Sequence, residues 1–222
     1  SDVPIAYSLS GGLDSSALVA LASINSKKRI KTYSLGFKGK GEDPWNELEN
    51  AREVSKKYDT DHTEIILKQE DLADSLEDMV LHLEQPYAGG LPSWPLFKEI
   101  AKDYKVAIIG SGGDEIFGNY NRGRFFSKLQ QDESMKALDI NLFEESIQNA
   151  FFLMNEKQAS TVLKNNKSNT VIHLSNLFNE YKNDNIDDRV AQLSFDTQLV
   201  DEFLMMTDRF SMSHSLEVRT PY

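Results

Sequence analysis

The 222-residue chain is 40% hydrophobic and 10% aromatic, enough apolar material for one or two packed cores and too much for a disordered tail. Its 24 Lys and Arg against 35 Asp and Glu leave a formal charge of -11, which repels phosphate backbones and argues against nucleic acid as a partner. There is no cysteine, so disulfides, thiolate zinc sites, iron–sulfur clusters and a cysteine nucleophile are excluded within these residues.

The first third alternates β-rich runs with helical patterns: a strand over residues 4–9, a helix over 15–22, a strand over 31–37, a helix over 46–57, a strand over 62–67 and a helix over 70–83. That alternation predicts an α/β fold with a parallel sheet. A further helix around 96–104 leads into an apolar run at 106–109, which ends in Gly110-Ser111-Gly112-Gly113-Asp114-Glu115. Two strands thus end in glycine-rich turns that open helices. Ligands of open α/β sheets bind beyond the carboxyl ends of strands, so both turns are expected to line one crevice. After about residue 125 the β pattern fades, and 142–163, 170–181 and 187–206 read as helices joined by Asn-, Lys- and Asp-rich turns.

The sharpest chemical signal is Ser10-Gly11-Gly12-Leu13-Asp14-Ser15-Ser16, placed between the first strand and the first helix. Two glycines let backbone approach an anion closely, while serine hydroxyls and helix-start amides supply donors to phosphate oxygens. Asp14 is then positioned as a Mg2+ ligand. The run lacks the Gly-Lys-Ser/Thr ending and the lysine of a Walker A loop. A Ser/Gly turn with a helix cap is the plainer reading of the same letters. In the second turn, Asp114 and Glu115 open a helix, where a capping role is worth about 0.3–1 kcal/mol. With Asp14 on a neighbouring turn, Mg2+ shared by Asp14 and Asp114 is the alternative, since Mg2+ takes one or two carboxylates plus phosphate oxygens. The third segment, Phe203 to Pro221, reads by its spacing as an amphipathic helix ending before a proline.

The first loop resembles the pyrophosphate-binding loop of ATP pyrophosphatases, and the three stretches together resemble asparagine synthetase. Ser1-Asp2-Val3-Pro4 is similar to that family's lead-in and Tyr33 to Phe37 to its second strand. Glu47 with Ala51-Arg52, His62 with Glu64, and Gln85-Pro86 fall in its order, and Asp208-Arg209 through Pro221 resembles its late signature. The resemblance implies an α/β parallel sheet of the adenine nucleotide alpha hydrolase-like (ATP pyrophosphatase) type with a helical C-terminal part. It implies a core over 1–125, a poorly matched helical insertion over 126–195, and a helix and turn over 196–222 returning to the nucleotide. Adenine would lie by the backbones of Leu9, Leu35 and Gly110, and Ile109, Gly112 and Gly113 would also belong to the nucleotide-binding residues. Pyrophosphate would lie in Ser10, Gly11, Gly12, Leu13, Asp14, Ser15 and Ser16, and Mg2+ on Asp14 and Asp114. The implied reaction adenylates aspartate or a related carboxylate with ATP, and ammonia from a glutaminase domain or subunit then displaces AMP.

Two positions depart from the family's pattern. Ser111 stands where the family carries Glu or Asp, and Ile109 replaces a usual serine. Loss of a general base costs about 10² to 10⁴-fold, so slow turnover or a different substrate is expected if position 111 is catalytic together with Asp114. The chain also begins inside the family's pattern and ends at Tyr222, before a downstream lysine, and on this reading is a piece of a longer protein. A homodimer is compatible with the resemblance.

Other features carry less. No run approaches the roughly 18–20 apolar residues of a membrane span and the N-terminus lacks a signal-peptide pattern, so a soluble cytoplasmic protein with no membrane partner is expected. The Asn166-Lys167-Ser168 sequon is read as accidental. His62, His82, His173 and His214 lack metal-ligand spacing. Trp45 and Trp94 are placed in loops flanking the crevice, either walling a pocket or packing beneath a loop. Asn121-Arg122-Gly123-Arg124 reads as a pyrophosphate neutraliser or a solvated helix end. Glu217 and Arg219 either pair or brace the glycine turns. Competing functions are an amidotransferase for a surface-polysaccharide uronic acid or a peptide, an inactive nucleotide-binding regulatory module, and tRNA adenylation, which the negative charge disfavours.

Overall fold

The computed structural model describes residues 2–38, 46–84, 89–117, 161, 170–182 and 185–222. The expectations for Trp45, for Gln85-Pro86, for Asn121 to Arg124, for the helix at 142–163 and for the sequon at Asn166 lie outside these residues. Two compact units are formed, one by Ser1–Gly113 with Leu199–Tyr222 and the other by Asp114–Gln198.

The first unit is built on a five-stranded sheet of order β3-β2-β1-β4-β5, every pairing parallel. Its elements are β1 (Ile5–Ser8), α1 (Leu13–Asn25), β2 (Lys31–Phe37), α2 (Leu48–Lys57), β3 (Asp61–Leu67), α3 (Gln69–Leu83), α4 (Ser93–Ile100) and β4 (Val106–Ile108). A short α5 (Gly113–Phe117) follows. The chain winds outward from β1 through β2 to β3, then returns to place β4 on the other side of β1. This is the α/β parallel sheet that the alternation predicts, and the reversal beside β1 is a topological switch point.

Side-chain alternation sends successive residues to opposite faces. Ala6, Tyr33 and Ala107 pack with Met79 and Leu83 of α3 and with Trp94, Phe97 and Ile100 of α4. On the other face, Leu9 and Ile30 meet Val19 of α1 and Ala51 of α2. Thr32 of β2 is fully buried, and its hydroxyl is satisfied by Thr60 Oγ1 at 2.8 Å and His62 Nδ1 at 2.9 Å. Gly36 has no room for a side chain, because an added Cβ would overlap Leu48 at the start of α2.

In the second unit, α6 (Thr170–Glu180) and α7 (Ile186–Ser194) pack through Leu174, Phe178, Val190 and Leu193. The Asn185 side chain caps α7 by accepting from the Asp187 amide at 2.8 Å. Arg189 lies over the Phe178 ring, 4.0 Å from its centroid.

From Phe195 to Leu204 the helix has π geometry, then resumes as α8 (Met205–Ser213). The sequence predicts continuous helix to 206 and a stop before Pro221. The chain instead turns at Ser215 (φ 57) and adds β5 (Glu217–Arg219), parallel to β4. Trp94 also departs from its expected loop position. It is the second residue of α4, 3% exposed, and packs edge-on against Phe210 at 5.3 Å and His214 at 4.4 Å.

Candidate functional site

The two glycine turns leave the carboxyl ends of β1 and β4, the pair flanking the switch point. Leu9 continues β1 by one rung, its amide donating to the Tyr33 carbonyl at 2.8 Å, while its own carbonyl accepts from the Ser34 hydroxyl. Ile109 likewise prolongs β4, donating to the Arg219 carbonyl at 3.1 Å. The N–H and C=O of one strand residue point to the same side, alternating along the strand. Since Tyr33 uses the edge toward β1, Leu35 turns its backbone to that edge two residues further on, past the end of β1.

Within the first turn, Gly11 has φ +88, and a Cβ there would lie 2.6 Å from Asn50 Cβ and 2.7 Å from the Ala51 nitrogen. Only glycine allows this left-handed corner to sit against the first turn of α2. The serines divide their work. Ser15 Oγ donates to the Gly12 carbonyl at 3.3 Å and receives the Ser10 amide at 3.2 Å. Ser10 Oγ lies 2.9 Å from Ser15 Oγ and accepts from the Gly12 amide at 3.2 Å. Both hydroxyls are thus engaged in shaping the turn. The Ser16 hydroxyl is buried, with no hydrogen-bond partner among the described residues. Gly12 precedes α1 without a side-chain cap, and Leu13 beside it is 80% exposed.

The second turn lies directly on the first. A Cβ on Gly110 would sit 2.9 Å from the Ser15 nitrogen and 3.3 Å from Asp14 Cβ, and one on Gly113 would overlap the Asp14 carboxylate. Glycine at both positions brings the Asp14 carboxylate against the turn that carries Ser111 and leads into Asp114. Gly112 has φ +100 and faces Tyr222, whose hydroxyl donates to the Asp14 carbonyl at 2.9 Å. Burial and the Asp14 charge push the Tyr222 phenol up from its usual pKa. Tyr222 is the residue that sequence reasoning missed, and the aromatic directly after Pro221 was its one available signal.

Other residues of the motif lie elsewhere. Arg52 on α2 holds Glu64 on β3 through two bonds of 2.6 and 2.7 Å, and the guanidinium keeps that carboxyl below the usual range. Ala51 touches Gly11, so this pair fastens α2 to the sheet one residue beyond the contact that supports the loop. His62 is only 11% exposed at its side chain; burial lowers its pKa, and its Nδ1 bonds Thr32 near the start of β3, away from the carboxyl ends of the strands. Glu217 and Arg219 pair with each other at 2.7 Å.

The family model described as asparagine synthase matches residues 1–222. The chain belongs to the asparagine synthase family. Its parallel sheet with glycine turns at β1 and β4 is accordingly of the adenine nucleotide alpha hydrolase type. Among curated relatives it is similar to asparagine synthetase [glutamine-hydrolyzing] 3 of Bacillus subtilis (strain 168), 31% identical over all of this chain and 38% of that protein. It is 34% identical to asparagine synthetase [glutamine-hydrolyzing] 1 of the same organism, over 54% of this chain and 19% of that protein. The asparagine synthetase [glutamine-hydrolyzing] of Zea mays is 33% identical over 54% of this chain and 22% of its own length. In these three alignments the chain spans between 19% and 38% of the relative's length. Among the described residues no helix is long and apolar enough to cross a membrane.

Proposed function

We propose that this chain is the ATP-using part of an amide-forming ligase, one that adenylates a carboxylate and passes it to ammonia. Aspartate is the first substrate to test, because the relatives are named asparagine synthetases that hydrolyse glutamine. The observation that carries the reading is the pair of interlocked glycine turns at the carboxyl ends of β1 and β4, on either side of the switch point.

In this reading the edge of β2 at Leu35, with Leu9, Ile109 and Gly110, receives the adenine through backbone groups. The loop from Ser10 to Ser16 receives the β- and γ-phosphates. The amides opening α1 are the donors offered to those phosphates, since the Ser10 and Ser15 hydroxyls are engaged in the loop, and the buried Ser16 hydroxyl is left as a further donor without a partner among the described residues. Asp14, against Gly113, is the carboxylate that would hold Mg2+, whose chemistry is neutralisation of the departing pyrophosphate. The substrate carboxylate oxygen attacks the α-phosphorus, the bond to the bridging oxygen breaks and pyrophosphate leaves. Ammonia then adds to the acyl carbon, AMP departs with the bonding pair and a proton is lost to give the amide. Most of the protein's contribution is alignment and charge neutralisation. Ser111 has no carboxylate to accept that proton, so slow turnover with aspartate, or preference for another carboxylate, accompanies this reading.

The test is release of AMP and pyrophosphate by the full-length natural protein with Mg-ATP, ammonia and a panel of aspartate, uronic acids and acidic peptides, with an Asp14→Ala control. Carboxylate-dependent AMP lost in the control supports a ligase and names its substrate. Tight Mg-ATP binding with no AMP from any carboxylate overturns it in favour of a binding-only module.

A further inference from the structure

We propose that Tyr222 is a positioning residue that sets the spacing of the two glycine turns, joining the Asp14 carbonyl in one to Gly112 in the other. The inference rests on the reading of those turns as the nucleotide site.

The geometry is specific. The Tyr222 hydroxyl reaches across 208 positions of sequence to donate to Asp14 O at 2.9 Å. Asp14 lies in the first turn of α1, where carbonyls already accept the helical i+4 amide, so the phenol uses a second lone pair. The bond therefore rescues no stranded acceptor; its effect is on where the helix start lies.

At the other end of the residue, a Cβ on Gly112 would stand 3.3 Å from Tyr222 Cβ and 3.7 Å from its carbonyl oxygen. Gly112 thus turns an open backbone face toward Tyr222. Gly110 and Gly113 meet Ser15 and Asp14 with no side chain of their own, so those contacts alone do little to resist sliding. Tyr222 adds a directional bond at this join, from its hydroxyl to the Asp14 carbonyl.

Its own position is fixed from the sheet. β5 pairs with β4, the Ile109 amide holds the Arg219 carbonyl, and Pro221 restricts the backbone just before Tyr222. The late segment thereby delivers one phenol to the join between the turns.

Removing the hydroxyl alone tests this. In the full-length natural protein, Tyr222→Phe is expected to keep its thermal midpoint and its calorimetric affinity for AMP, while affinity for Mg-pyrophosphate falls about three- to tenfold. Amide hydrogen exchange without nucleotide is expected to quicken at residues 10–16 and to stay unchanged in α3 and α4. Unchanged exchange at residues 10–16 overturns the proposal, as does equal weakening of AMP and pyrophosphate together with a lowered midpoint, the mark of a general structural role. If wild type binds neither ligand, the nucleotide reading fails by itself, and the exchange comparison still decides whether Tyr222 positions the turns.

Discussion

Gly11 is where a single side chain would do most damage. Its φ of +88 costs a residue with a Cβ about 1–3 kcal/mol, and that Cβ would also press on the backbone of Asn50 and Ala51. Gly11→Ala is therefore expected to lower the urea midpoint and, by tilting the turn away from α2, to weaken Mg-ATP binding. An unchanged midpoint would show that the corner relaxes freely. The importance of this residue was legible in the sequence, because a Ser-Gly-Gly run between a strand and a helix has few other uses. The division of labour among the serines was not, since it depends on which hydroxyls the turn itself consumes. Tyr222 was still less legible, as its partner is 208 positions away.

Among the elements, α4 shows how tertiary packing decides what local pattern leaves open. Trp94 lies between a proline at the helix N-cap and Pro95, and prolines in such density read as loop. Yet proline is tolerated in a helix's first turn, where amide donors lack intrahelical partners, and the helix then buries Trp94, Leu96, Phe97 and Ile100. Trp94→Ala is expected to cost about 3–5 kcal/mol in chemical denaturation, through the cavity left among Phe210, His82 and His214. A loss below 1 kcal/mol would mean that the ring is not the packing centre described. β5 escaped sequence reading for a related reason. Three residues with one β-branched side chain carry no periodicity, and their strand character comes from pairing with β4. The π geometry from Phe195 to Leu204 has no signal in the sequence either.

At the scale of the molecule, the class of sheet follows from the alternation of strands and helices, but the strand order does not. The sequence alone leaves open the side of β1 to which the chain returns, and that choice creates the switch point between β1 and β4. Stability as a function of pH is another whole-molecule property. Burial pushes both His62 and His214 below the usual imidazole range, with Lys98 and His82 adding to the effect at His214 and Asp78 opposing it. A lowered folded-state pKa means that the unfolded chain binds protons first. The contribution of these two groups is thus complete above about pH 6.5 and is lost as pH falls through their folded values. The thermal midpoint is expected to decline from about pH 6.5 downward, and His214→Gln to flatten part of that slope. A slope identical to wild type would show that His214 titrates as it does in the unfolded chain.

The parallel pairing of β5 with β4 also has a consequence in time. On the ribosome β4 emerges roughly 110 residues ahead of its outer neighbour. At about 5–20 residues per second, its edge stays unpaired for about 5–20 s. An unpaired edge is a template for any other strand, so a nascent chain stalled in this interval carries its greatest hazard of pairing with a stranger. Codons between β4 and β5 that slow translation lengthen that exposure, and a chaperone that covers the β4 edge is most useful during it.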